Sequence, residues 1–327
     1  MLNTVIDYNI FDHFTKNAPK SPLIGSSEEY KSWLSFWDFL KQGSNVIITS
    51  ANEKNTDIRN SIFVNELTTG RNKTTISLDQ NNFVRPYKCK FPVKQDKQTV
   101  FFLNEPDISA QDKYRKNNGF PFGFFDDYFQ AWRQIDFDNE NLTLHNRKTA
   151  DEKSVFSWQR FSKYLLPFTD VIIRDDFLFK RKEDIQEILG AIVNSLEKKA
   201  VQKYNLLIIT NRNHFDNSFN SNLEEVYNYL TKNIFKNSRA NIGIVHSSRE
   251  HDRFIFFNYL QVTFGKIPDK STIPTMVTFY PYTKPKNYSL SREILQDIKS
   301  LVNNAIQNNA TAGNIQNSLL EFDRTNS

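Results

Sequence analysis

Between residues 170 and 245, three apolar runs alternate with two helical segments, and this alternation restricts the fold more than any other stretch. The runs Asp170–Phe179, Asn205–Thr210 and Asn241–Val245 carry Ile, Val and Leu blocks of the length expected for buried strands. Between the first two, Lys182–Lys198 places Ile185, Ile188, Leu189, Ile192, Val193 and Leu196 on one helical face. Leu223–Phe235 supplies the second helix. Strands joined through a helix run parallel, with right-handed crossovers, so the C-terminal half is expected to be α/β with a mixed, largely parallel sheet and flanking helices. A helix near Ser157–Leu165 precedes this unit. Strands around Phe254–Phe257, Gln261–Phe264 and Met276–Phe279 follow it, and an antiparallel ribbon after residue 250 closes the sheet. A last helix over Ser291–Ile306 has Ser291 as a suitable N-cap, and the asparagine-rich tail from Gln307 is expected to fray.

The N-terminal half reads less regularly. Residues 1–25 show no period, with Pro19 and Pro22 marking a loop. Tyr30, Trp33, Leu34, Trp37 and Leu40 fall at helical spacing, Gly43 stops the helix, and Asn45–Thr49 is a short strand. Residues 60–105 read as strands over Ser61–Leu67, Thr74–Leu78 and Thr99–Leu103, with a hairpin connection at Gly70-Arg71-Asn72. Residues 104–123 read as a loop, and Phe125–Ile135 as a second aromatic helix. The polar stretch Asp136–Lys153 is the best boundary, giving a mixed α/β domain over 1–150 and a second α/β domain over 151–327. Helix-turn-strand patterns around Ser32–Ile48 and Ser157–Ile173 are similar enough to permit two related halves.

Composition narrows the class. With 29 phenylalanines, nine glycines and 39% hydrophobic residues, the chain has the material for packed cores. No apolar run reaches the roughly 18 residues of a membrane span, and the N-terminus lacks a secretory pattern. The single cysteine, Cys89, excludes an intramolecular disulfide framework and a cysteine-rich zinc site, and it points to a reducing, cytoplasmic compartment. A net charge of +5 leans toward an anionic partner.

The chemistry-bearing stretch is His246–Gly265. There His251, Asp252 and Arg253 precede the apolar run Phe254–Phe257, which ends on Asn258. Histidine can act as a nucleophile or general acid, and the arginine two residues on offers a planar fork for two phosphate oxygens on the same side of an extended chain. The spacing His-x-Arg-x4-Asn resembles His-x-Lys-x4-Asp, the phosphodiesterase signature of the phospholipase D superfamily. The segment is most similar to the C-terminal domain of eukaryotic MIT-domain proteins and related bacterial domains, over roughly residues 165–305. The resemblance implies a phospholipase-D-like fold, with His251, Arg253 and Asn258 as the site triad. With arginine and asparagine replacing lysine and aspartate, it also implies a degenerate site that binds rather than hydrolyses. It further implies a prokaryotic setting in defence or nucleic-acid processing.

Around the triad, Arg249, Lys266, Lys180, Arg181 and Lys182 are candidates for a basic rim that contacts phosphates or nucleic acid, with Lys198 and Lys199 at the far end of the helix. An active enzyme of this type needs a second half-site. His145, Arg147 and Glu152 match the spacing but lack a supporting strand, which leaves a homodimer pairing two copies of His251. Asp170, Asp175 and Asp176 flank a strand as magnesium-site carboxylates do, although turn capping is the simpler role. His214, His246 and His251 match no zinc spacing. Gly119–Gly123 reads as a loop with exposed aromatics, a candidate contact site. No cofactor motif and no metal site are expected. Three functions remain open: engagement of a phosphate ligand or nucleic acid, metal-independent phosphodiesterase or nuclease activity in a homodimer, and a protein-interaction adaptor with a protein partner.

Overall fold

The computed structural model describes residues 1–19, 28–49, 61–69, 74–76, 98–137, 141–142, 145–146, 155–156, 158–248, 253–265 and 277–321. The chain divides into two compact units: Met1–Asp138 with Pro281–Ser289, and Asn139–Tyr280 with Leu290–Ser327.

The first unit is built on β1 (Leu2–Asp7), α1 (Tyr8–Lys16), α2 (Glu28–Asp38) and β2 (Ser44–Thr49), with a π-helical turn over Phe39–Gly43. It continues through α3 (Ile62–Thr69), β3 (Thr74–Ile76), β4 (Thr99–Leu103), α4 (Ile108–Asn117), β5 (Phe122–Phe124) and α5 (Tyr128–Ile135). Its five strands form one sheet, ordered β3-β2-β1-β4-β5, with every pair parallel. Both faces are covered, so β4 is buried at every position, as a central parallel strand should be. Alternate residues serve opposite faces. Phe101 and Leu103 join Val5, Ala110 of α4, Tyr114 and Phe124. Phe102 packs on Phe36, which meets Phe14 and Trp132 at ring distances of 5.0 Å.

This architecture corrects several sequence expectations. Residues 1–25 hold the central strand and a helix; Leu2–Asp7 is short and fully flanked by neighbours, so it shows no alternation. The stretch expected as a strand over Ser61–Leu67 is helical from Ile62, because a parallel step from β2 to β3 needs a crossover, and Val64 and Leu67 bury one helical face. The Gly70–Asn72 hairpin lies outside the described residues, and β2 and β3 are parallel. Residues 104–123 contain α4, whose N-cap Asp107 accepts the Ser109 N–H at 2.9 Å. The Gly119–Gly123 segment is not an exposed aromatic loop: Phe122 is buried in β5, where its ring stacks on Phe101 at 5.1 Å.

The second unit begins with three short strands, β6 (Asn141–Leu142), β7 (His145–Asn146) and β8 (Val155–Phe156), then a one-turn helix α6 (Trp158–Phe161). The body comprises β9 (Phe168–Arg174), α7 (Lys182–Leu196), β10 (Ala200–Thr210), α8 (Leu223–Asn233) and β11 (Ala240–His246). It is completed by β12 (Arg253–Phe257), β13 (Leu260–Phe264), β14 (Val277–Pro281), α9 (Pro285–Gln307) and β15 (Thr311–Gly313). The eight-stranded sheet is ordered β15-β11-β10-β9-β12-β13-β14-β6. The α/β class and mixed sheet follow expectation: β9, β10 and β11 are parallel, while β12, β13 and β15 pair antiparallel. One face packs Ile172, Leu207, Ile209, Val245 and Phe256 against Leu295, Ile298 and Val302 of α9. The alternate residues Val171, Ile173, Leu206 and Ile208 are also buried, as expected where right-handed crossovers lay both connecting helices over one face.

Helix α9 starts at Pro285, a residue suited to a first turn, and not at Ser291. Ser291 is internal and buried, its hydroxyl donating to Gln261 Oε1 at 2.5 Å. The tail beyond Gln307 does not fray up to residue 321. β15 adds to the sheet edge, and Asp170 holds Ser318 through its N–H (2.9 Å) and hydroxyl (2.6 Å). No described helix is long and apolar enough to cross a membrane.

Candidate functional site

The carboxyl ends of β9, β10 and β11 and the start of antiparallel β12 share one edge of the second unit's sheet. Such an edge is where α/β folds gather ligand-binding groups. Four chain segments deliver side chains there: Arg174–Phe177 from the end of β9, Asn211–His214 after β10, His246–Ser248 from the end of β11, and Arg253 at the start of β12.

The turn after β9 sets the geometry. Asp175, 5% exposed, accepts the Phe177 N–H at 2.8 Å and donates its own N–H to Ile209 O at 3.1 Å. This bends the chain out of the sheet and leaves Phe177 42% exposed, an unusual position for so large an apolar side chain. The ring of His214 stacks on Phe177 with centroids 4.5 Å apart. The Arg253 guanidinium lies 5.5 Å from the Phe177 ring centre and the Lys180 ammonium 5.7 Å, both within cation–π range. Register explains why Arg253 arrives here: Phe254 pairs with Arg174, so Arg253 stands opposite Asp175. Its Nε donates to Asp175 Oδ1 at 3.4 Å and its Nη1 to the Gly265 carbonyl. These bonds orient a guanidinium that has further N–H donors.

A cavity of about 290 Å³ opens at the ends of β10 and β11, with Arg212, His246, Ser247, Ser248, Ser300 and Asn304 in its wall. His246 Nδ1 accepts the Arg212 backbone N–H at 3.2 Å, which requires an unprotonated nitrogen. Burial, then the Arg212 charge, hold the imidazole below its ordinary pKa, consistent with a neutral ring.

Of the expected triad, the structure places Arg253 at this edge and Asn258 away from it. Asn258 directly follows β12 and is fully buried; its Oδ1 accepts the N–H groups of Thr169 (2.9 Å) and Asp170 (3.2 Å) at the start of β9. Five residues of extended chain, roughly 17 Å, separate it from Arg253. Asn258 therefore ties two strands together and does not touch the edge. His251, Arg249 and Lys266 lie outside the described residues.

The rim residues also diverge. Lys180 faces Phe177. Arg181 pairs with Asp184 at 2.7 Å, and the Lys182 ammonium sits 5.2 Å from the Tyr229 ring and 5.3 Å from Phe219. Asp170 stands at the opposite end of β9 from Asp175 and Asp176, engaged with Asn205 and Ser318. Among the described residues, no three His, Cys, Asp or Glu side chains converge on a metal position.

Sequence reasoning missed Phe177, Arg212 and the edge role of His246. The available signal was local: an aromatic residue directly after the acidic pair Asp175-Asp176 that ends a strand, followed by Lys180-Arg181-Lys182.

No protein-family model and no curated protein matches the chain. Among solved structures, it is similar to TrmBL2, described as an archaeal chromatin protein that shows a novel mode of DNA binding, at 8% identity and a TM-score of 0.23. The match covers 45% of this chain and 52% of that one, so the chain spans about half the length of that protein. A TM-score this low does not establish a shared fold.

Proposed function

We propose that the carboxyl edge of the second unit binds a phosphate-bearing ligand, nucleic acid foremost, through a degenerate phospholipase-D-like site in which Arg253 holds phosphate. The observation that carries this reading is the solvent-facing Phe177 ring with Arg253, Lys180 and His214 around it. An exposed ring can stack on a base, and the adjacent cations can meet the backbone on either side of it, the combination used for single strands. A net charge of +5 favours the same partner.

Fluorescence anisotropy with labelled single- and double-stranded DNA and RNA, without metal, tests the reading. Single strands are expected to bind with strong salt dependence. Because Phe177 supports little of the core, Phe177→Ala should weaken binding by about 1–3 kcal/mol while leaving the melting temperature nearly unchanged. Unaltered affinity in that variant would sink the proposal. Metal-free cleavage that disappears in His251→Ala would instead make the protein a phosphodiesterase that uses His251. Neither binding nor cleavage would leave a protein-interaction role.

A further inference from the structure

The first unit holds a second candidate site, separate from the edge described above. In its sheet the strand order reverses beside β1: the chain steps from β1 to β2 and β3 in one direction, then returns to place β4 and β5 on the other side. The covering helices change faces with it. Phe14 of α1, Phe36 of α2 and Trp132 of α5 pack together on one face, and α4 packs on the other. At such a reversal the connections leave two adjacent carboxyl ends in opposite directions and open a crevice between them. A crevice of about 440 Å³ lies there, in the size range of small-molecule sites. It is lined from α1 after β1, by Asn104 after β4 and by Phe125 after β5. Asp7 joins the two central ends, its buried carboxylate accepting the Asn104 N–H at 2.6 Å.

The lining has a definite chemical character. Phe125 supplies a half-buried apolar ring, with the His13 ring 5.0 Å away. Asn9, Asn17 and Asn104 contribute carboxamides, each presenting a donor beside an acceptor. Among the described residues, the carboxamides of Asn9 and Asn104 make no hydrogen bond, whereas Asn17 Nδ2 donates to His13 O at 2.7 Å. His13 Nδ1 meets the Tyr128 hydroxyl at 3.0 Å. Burial pushes that hydroxyl up to about 12, so it stays protonated and can donate to Nδ1. The charges cancel: Lys16 is paired with Asp12 at 2.7 Å. Among its described residues the crevice therefore lacks what a polyphosphate needs and has what a flat, hydrogen-bonding, uncharged heterocycle needs.

We propose that this crevice binds an uncharged nucleoside, with the base against Phe125 and the carboxamides of Asn9 and Asn104 reading its edge. Adenosine suits it best, since a carboxamide matches the paired donor and acceptor at adenine N6 and N7.

Titration calorimetry of the full chain with adenosine, guanosine, cytidine and uridine, then with adenosine 5′-monophosphate and inorganic phosphate, tests the proposal. Adenosine should bind, and in a Phe177→Ala, Arg253→Ala chain that lacks the other site its monophosphate should bind several-fold more weakly. Asn104→Ala and Asn9→Ala should each weaken adenosine binding by about 5- to 100-fold. Asn9 is exposed, so its variant reads the site even where Asn104→Ala perturbs the turn. Phe177→Ala, in the other unit, should leave adenosine affinity unchanged, which separates this result from the nucleic-acid reading. The proposal is overturned by absence of nucleoside binding at millimolar concentration, by tighter binding of the monophosphate or of phosphate alone to a Phe177→Ala, Arg253→Ala chain in which the other site is removed, or by full affinity in both asparagine variants.

Discussion

Two residues of the motif His251-x-Arg253-x4-Asn258 show how differently side chains in one signature can be used. Arg253 reaches the carboxyl edge because it enters the antiparallel strand there, while Asn258 leaves the strand at the opposite end and spends its oxygen on two backbone N–H groups. Side-chain chemistry and spacing were legible in the sequence. The direction of β12 relative to β9, which separates the two, was not. Phe177 shows the converse case. In sequence it is one more member of an apolar run; only the turn held by Asp175 lifts it into solvent beside Arg253 and Lys180. His246 gives a test at this scale. Its folded pKa is lowered from 6.5, so protonation is disfavoured in the fold and the stability it contributes is lost as pH falls through and below that value. NMR titration of the ring should give a midpoint below 6.5; a midpoint at or above it would contradict the Nδ1 acceptor role.

At the scale of elements, helix α7 was legible because six apolar side chains repeat at helical spacing, and all but Ile188 are fully buried. Helix α3 was not, because Ile62-Phe63-Val64 favours a strand locally and only the parallel β2–β3 step demands a helix. The joint between α7 and β11 is electrostatic. Burial raises the Glu197 carboxyl, but the hydrogen bonds from Ser238 and Arg239 and the Arg239 charge outweigh it and hold the pKa below 4.5. A depressed carboxyl contributes stability above its unfolded pKa and loses it as pH falls through the folded value. Glu197→Gln should therefore be less stable than the wild type near neutral pH, with the difference shrinking below about pH 4 in urea unfolding curves. The sheet edge offers a steric test. Gly243 pairs with Gly313 of β15, and a Cβ at position 243 would stand 2.2 Å from the Asn314 carbonyl. Gly243→Ala should cost about 1–3 kcal/mol and raise hydrogen exchange in residues 311–320. Wild-type protection there would show that the tail is not held as described.

At the scale of the molecule, the two units each place polar groups at the carboxyl ends of parallel strands, but with opposite electrostatic character. The second unit's edge presents cations around an aromatic ring, whereas the first unit's crevice pairs its charges and leaves carboxamides. Salt should discriminate between the two uses. Affinity for a single strand should fall linearly on a logarithmic salt axis, and Lys180→Ala should reduce that slope by about 0.7, one phosphate contact. An unchanged slope would remove Lys180 from the interface. Nucleoside affinity should hardly respond to salt.

The sequence by itself determined the α/β class, the parallel core from β9 to β11 and the basic balance, because periodicity, β-branched blocks and charge are properties of neighbours along the chain. Tertiary structure alone decided that residues 2–7 form a central strand, that the tail completes a sheet edge, and which polar residues meet. Those outcomes depend on strand order and direction, which are settled by burial between segments far apart in sequence and leave no local trace.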